Sequence, residues 1–297
     1  MAAIEVRGLS KSYGDVHAVR RVDLDVEDGE ILAFLGPNGA GKTTTVEILE
    51  GFRTRTTGDV SVLGQDPQSA PRAWYEDIGI VLQESRPDPD LTARETVELF
   101  ASFYVAPRGI DEVLDLVGLS GESAQRAEKL SGGQKRRLDL ALALIGDPKL
   151  VFLDEPTTGF DPSARRDAWG MIEGLRGLGV TVLLTTHYMD EAEQLADRIA
   201  VIRSGEIVAS GTKHDLSELA GLATKVSWDA GAVEPGAVAG AVLVDGVASI
   251  DTYDLDGVLG AFVDGARAAG SSMASLQIDR PTLEDVYLHL VADEVPS

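Results

Sequence analysis

The chain has 297 residues, of which 44% are hydrophobic and 25% charged, proportions that exclude collagen-like, low-complexity and wholly disordered classes. Its 49 acidic against 26 Lys and Arg residues leave a formal charge of −23, which phosphate backbones repel, so nucleic acid is not an expected partner. Cysteine is absent, which removes disulfides, thiolate nucleophiles and thiolate zinc sites together. The start, Met1-Ala2-Ala3-Ile4-Glu5-Val6-Arg7, lacks the basic-then-apolar pattern of a signal peptide. The longest uncharged run, between Arg176 and Asp190, is too short to span a bilayer. A soluble protein of the cytoplasm is expected.

Near the N-terminus, Ile4-Glu5-Val6 and Val22-Asp23-Leu24-Asp25-Val26 alternate apolar and charged residues, as an antiparallel sheet with one wet face does. Ile31-Leu32-Ala33-Phe34-Leu35 is instead continuously apolar, the texture of a strand buried on both faces. Ile78-Gly79-Ile80-Val81-Leu82, Leu150-Val151-Phe152-Leu153 and Thr181-Val182-Leu183-Leu184 read as further strands, with helices expected near 41–50, 92–105, 133–145 and 162–176. Thr92 with Glu95 fits a capping box, and Asp161-Pro162 fits an N-cap followed by proline at the first helical position. The alternation predicts an α/β domain over 1–214. Beyond it, 215–297 is rich in Ala, Gly and Asp, with Lys225, Arg267 and Arg280 its only Lys or Arg residues. It closes on a helix signal, with Pro281 near the start, Glu284 and Asp285 in the first turn, and Leu283, Val286, Tyr287 and Leu290 on one face. This segment reads as a small α/β appendage.

Three motifs carry chemistry. Gly36-Pro37-Asn38-Gly39-Ala40-Gly41-Lys42-Thr43 follows directly on the strand ending at Leu35 and matches G-x-x-x-x-G-K-[ST]. Its glycines let backbone N–H groups turn inward around phosphates, Lys42 supplies a compact cation, and the Thr43 hydroxyl suits Mg²⁺. Leu150-Val151-Phe152-Leu153-Asp154-Glu155 delivers two carboxylates at the C-terminal edge of a buried strand. Behind a phosphate loop, Asp154 is placed to hold Mg²⁺ and Glu155 to act as general base. Alone, such an acidic pair is a solvated turn. Leu130-Ser131-Gly132-Gly133-Gln134 has the Ser-to-Gln spacing of a capping box, yet its two consecutive glycines suit close approach of backbone N–H groups to an anion.

Together the set resembles the nucleotide-binding subunit of ATP-binding cassette (ABC) transporters, over about residues 3–211, with GPNGAGKT as Walker A, LSGGQ as the signature and LVFLDEP as Walker B. The resemblance implies a P-loop NTPase cassette, built of a RecA-like core, an antiparallel wing and a helical subdomain over about 84–147. It implies ATP and Mg²⁺ as cofactors, and it assigns Gly36 through Thr44 to the phosphates. Tyr13 then stacks on adenine, Gln83 touches Mg²⁺ and water, and His187 contacts the γ-phosphate. Asp161 belongs to a loop that crosses to a second subunit, with Phe160 standing where the family usually has leucine.

The same resemblance implies that two copies, or this chain and a related cassette, meet head to tail. Each ATP then lies between Lys42 of one and Ser131, Gly132, Gly133 and Gln134 of the other. It also implies a separate polytopic permease, which would hold the chain at the cytoplasmic face of the membrane. The stretch 184–193, together with 281–287, is similar to the daunorubicin-resistance branch, which implies export of drugs, lipids or other amphiphiles. Residues 215–297 then either regulate the dimer or serve as a stabilising cover. The alternative is a non-transport ABC ATPase acting on a macromolecular partner.

Overall fold

Strand Ile31–Leu35 is buried at every position, as its uninterrupted apolar run requires, and it lies inside a nine-stranded sheet. The computed structural model describes residues 2–81 and 88–292, with side chains to residue 290. Contacts divide the chain into two compact units, Met1–Thr212 and Lys213–Ser297. The boundary expected after residue 214 therefore falls within a helix that starts the second unit.

In chain order the first unit contains β1 (Ala2–Tyr13), β2 (Val16–Glu27), β3 (Ile31–Leu35), α1 (Lys42–Leu49), β4 (Thr57–Val62), β5 (Ile78–Val81), α2 (Ala93–Ala101), α3 (Ile110–Leu116) and α4 (Gly132–Leu144). It continues with β6 (Leu150–Asp154), α5 (Pro162–Gly177), β7 (Thr181–Thr186), α6 (Met189–Leu195), β8 (Arg198–Arg203) and β9 (Glu206–Gly211). The sheet order is β4-β1-β2-β9-β8-β3-β7-β6-β5. Strands β8, β3, β7, β6 and β5 pair in parallel in that order and β9 pairs antiparallel with β8, while β4, β1 and β2 form the antiparallel wing that the alternating N-terminal pattern predicts.

The parallel strands end together, so the loops after β3, β6 and β7 share one edge of the sheet, where open α/β sheets bind ligands. Phe34 and Phe152 are fully buried in one cluster with the wing residues Ile4, Val6 and Leu9, which joins the two parts of the sheet.

Helix α2 starts on the predicted capping box: the Glu95 amide donates to Thr92 and the Thr92 amide to the Glu95 carboxylate. It ends at Ala101, short of the expected 105, because the chain turns there to lay the Tyr104 ring against Gly146, where a side chain would collide. The strand expected over 78–82 is seen to Val81, and Leu82 lies outside the described residues.

The second unit holds α7 (Lys213–Leu219), β10 (Thr224–Asp229), β11 (Val242–Val244), β12 (Val247–Thr252), α8 (Leu255–Ala269), β13 (Gln277–Asp279) and α9 (Leu283–Ala292). Its four strands, in the order β11-β12-β10-β13, are all antiparallel. Trp228 meets Phe262 of α8 edge to face at 5.5 Å in a core of its own. Thr282 and Asp285 form a further capping box, and Pro281, near the start as expected, stands just before the cap of α9.

Candidate functional site

Between β3 and α1 the loop turns through Gly39 (φ 79°) and Gly41 (φ 103°), a region L side chains rarely enter. At Gly41 a Cβ would also lie 2.5 Å from the Ala18 carbonyl oxygen, so the tight loop demands glycine twice over. The loop bounds a cavity of about 450 Å³ lined by Asn38, Gly39, Gly41, Lys42, Thr43 and Thr44, together with Ala18 and Glu155. Lys42 is 6% exposed, and its Nζ donates to the carbonyls of Gly36 (2.7 Å) and Pro37 (3.2 Å). Burial lowers its pKa, while Glu155 and Asp154 act to raise it. The ammonium is thus under-solvated and gains by meeting further anionic oxygens.

Glu155 follows β6 at φ 46°, a strained conformation for a side chain of this size. Its amide donates to both the carbonyl and the hydroxyl of Thr185, each at 3.1 Å. Its carboxylate lies 4.0 Å from Lys42 Nζ and 3.2 Å from His187 Nδ1, and it accepts from the Thr158 hydroxyl at 3.2 Å. The Thr185 hydroxyl donates to Asp154 Oδ1. Four predicted residues, Lys42, Asp154, Glu155 and His187, therefore converge from the ends of β3, β6 and β7, although more than a hundred positions separate the first from the others.

The donor set fits Mg²⁺, a hard cation that takes oxygen ligands and usually keeps one or two carboxylates plus substrate phosphates. Asp154 and the Thr43 hydroxyl offer oxygens of that kind. Among the described residues no cluster of three His, Cys, Asp or Glu side chains forms an all-protein metal cage.

The signature residues lie elsewhere. Ser131, Gly132, Gly133 and Gln134 line a separate cavity of about 700 Å³ with Phe160 and Asp161, and it shares no lining residue with the phosphate-loop cavity. The capping box of α4 is present, with the Gln134 amide on Ser131 Oγ at 3.2 Å and the Ser131 amide on Gln134 Oε1 at 2.9 Å. Asp161 caps α5 by accepting from the amides of Ser163 (2.8 Å) and Ala164 (3.0 Å), and those bonds lower its pKa. Tyr13 ends β1 away from the lining of either cavity; it is exposed, with Lys11 Nζ 5.0 Å from its ring centre. Gln83 lies outside the described residues.

Sequence reading missed Thr185, which braces both carboxylate residues. It also missed Arg136, whose guanidinium donates to main-chain carbonyls at the end of β6 and just after it. The signal for the first was present in Thr185-Thr186-His187, where a hydroxyl precedes the histidine at a strand end. The second was masked within the basic run Lys135-Arg136-Arg137.

Comparison with known proteins agrees with this geometry. The family model described as ABC transporter matches residues 19–158. The daunorubicin resistance ATP-binding protein DrrA3 of Streptomyces coeruleorubidus is 38% identical over 98% of this chain and 96% of its own length. The Nod factor export ATP-binding protein I of Rhizobium etli is 33% identical over 99% and 95%. Among solved structures, the ATP-binding cassette MJ0796, in a dimeric post-hydrolysis state with ADP and Pi, superposes with a TM-score of 0.63 at 27% identity. That match covers 70% of this chain and 98% of the other. A phosphate loop, two braced carboxylates and a signature-bearing helix on a cassette fold, with full-length relatives of one kind, leave one assignment: the chain belongs to the ABC transporter family, as one of its ATP-binding subunits.

Proposed function

We propose that this subunit powers export of a drug, lipid or other amphiphile through a separate membrane permease, by ATP-driven head-to-tail dimerisation and hydrolysis. The observation that carries the dimer is the separation of the two half-sites: phosphate loop and signature open into different cavities of one chain. A second copy, or a related cassette, places its Ser131, Gly132, Gly133 and Gln134 over the nucleotide held by the first. The dimeric state of MJ0796 supports that reading.

In the closed dimer, backbone N–H groups from Gly36 to Thr44 cradle the phosphates and Lys42 leaves the loop carbonyls for the β- and γ-phosphate oxygens. Thr43 and Asp154, with Gln83, would hold Mg²⁺, which would supply neutralisation of phosphate charge. Glu155 takes a proton from the attacking water. His187, already on the Glu155 carboxylate, orients that group and meets the γ-phosphate. Tyr13 supplies an aromatic face for adenine, and Asp161 holds the loop that meets the second subunit. Loss of the γ-phosphate removes contacts to both subunits and lets them part.

Among the described residues no helix is long and apolar enough to cross a membrane, which fits a permease on another chain. The names of the relatives, one of daunorubicin resistance and one of Nod factor export, favour export and an amphiphilic cargo. Residues 213–297, with a hydrophobic core of their own, serve as an accessory unit on the dimer. Gentle purification of the tagged chain from its native membrane tests the proposal. A polytopic membrane protein that stimulates ATP hydrolysis is the expected companion, and ribosomes or DNA in its place would overturn it.

A further inference from the structure

Arg136 stands on α4, five residues after Ser131, and lines the signature cavity. Its guanidinium clasps the end of β6 and the turn that follows, whose Pro156 lines the same cavity. Nη2 donates to the carbonyls of Asp154 (3.0 Å) and Glu155 (3.5 Å), and Nε donates to the carbonyl of Pro156 (3.1 Å). Nη1 lies 3.7 Å from Asp139 on the same helix, which anchors the side chain to α4. The turn so gripped carries Glu155 at φ 46° and is held from the opposite side by Thr185 of β7. One planar cation thus joins the helix whose N-terminus is a half-site to the backbone that aims the carboxylate of the other half-site.

We propose that Arg136 is a positioning residue that makes the two half-sites of one subunit read each other: engagement of Ser131 by the nucleotide of the second subunit fixes α4, and Arg136 carries that state to the Glu155 turn. Hydrolysis at the two sites of a dimer is then cooperative, because each subunit offers its signature to one site and its general base to the other. The inference rests on the head-to-tail reading above. A guanidinium suits the task because its rigid planar fork holds donors on three nitrogens in fixed directions, so one side chain meets the carbonyls of three successive residues and Asp139 together, whereas an ammonium gathers its donors on one nitrogen at the end of a flexible stem. Helix and turn are packed, discrete elements, so a small displacement of one is passed on rather than absorbed.

The test measures ATP hydrolysis against ATP concentration for the full chain, wild type and Arg136→Gln, beside the affinity of each for a fluorescent ATP analogue. The expected result is a Hill coefficient above 1 in the wild type that falls to 1 in the variant, with kcat about tenfold lower and analogue affinity within twofold. That split between kcat and binding is not what a loosened fold gives. Arg136→Lys keeps the charge but gathers the donors on one nitrogen, covers the case in which the Gln variant fails to fold, and is expected to restore part of kcat but not the cooperativity. A wild-type Hill coefficient of 1, or an unchanged kcat and Hill coefficient in a folded Arg136 variant, overturns the coupling. A wild-type chain that fails to dimerise with ATP would instead strike the head-to-tail reading itself.

Discussion

Glu50 closes α1 and is 3% exposed, with Asp154 and Glu47 as its charged neighbours. Burial first, and then those two carboxylates, push its pKa from 4.5 to about 8. The C-terminal end of a helix dipole further disfavours an anion there. Below pH 4.5 folded and unfolded chains both carry the neutral acid, and the group costs nothing. As pH rises from 4.5 towards 8 the unfolded chain releases a proton that the native state keeps, so stability falls. At about 1.36 kcal/mol for each pH unit in that window, the loss reaches about 3 kcal/mol at pH 7 and levels near 5 kcal/mol above pH 8. Glu50→Gln removes the ionisation at nearly constant shape. Its melting temperature, followed by calorimetry from pH 4.5 to 8.5, should match the wild type at the acid end and exceed it by roughly 6–12 °C at pH 7. Equal melting temperatures for both proteins across the whole range would refute the assignment of a neutral buried acid.

Glu155→Gln should retain ATP binding while slowing turnover about 10²–10⁴-fold, the usual worth of a general base; steady-state hydrolysis at saturating ATP reads it, and near wild-type turnover contradicts the role. Lys42→Ala removes the cation that lines the phosphate cavity and should weaken ATP binding, which titration calorimetry reports directly; unchanged affinity counts against the assignment.

The parts of the site carried by contiguous residues were legible. A glycine loop must follow a buried strand to meet phosphate, and the apolar run 31–35 followed by Gly36 showed both at once. The capping boxes at Thr92 and Ser131 and the Asp161 cap were readable because their geometry is set within four residues. What could not be read were pairings across sequence distance. Thr185 lies 30 positions from Glu155 and Arg136 lies 18 from Asp154; only the parallel sheet brings β6 beside β7, and only tertiary packing brings α4 to the end of β6. The early end of α2 belongs to the same class, since Tyr104 answers to Gly146 rather than to its own neighbours. In 213–297 the α/β texture was visible but not its strand order, because short strands such as β11 and β13, exposed throughout, leave little alternation to read.

Sedimentation of the chain with and without Mg²⁺-ATP in the Glu155→Gln background tests the shared reaction centre most directly. That protein should pass from monomer to dimer on adding nucleotide, and the further change Ser131→Arg should leave it monomeric with its ATP affinity intact. A dimer that forms equally well with arginine at position 131 would contradict the account.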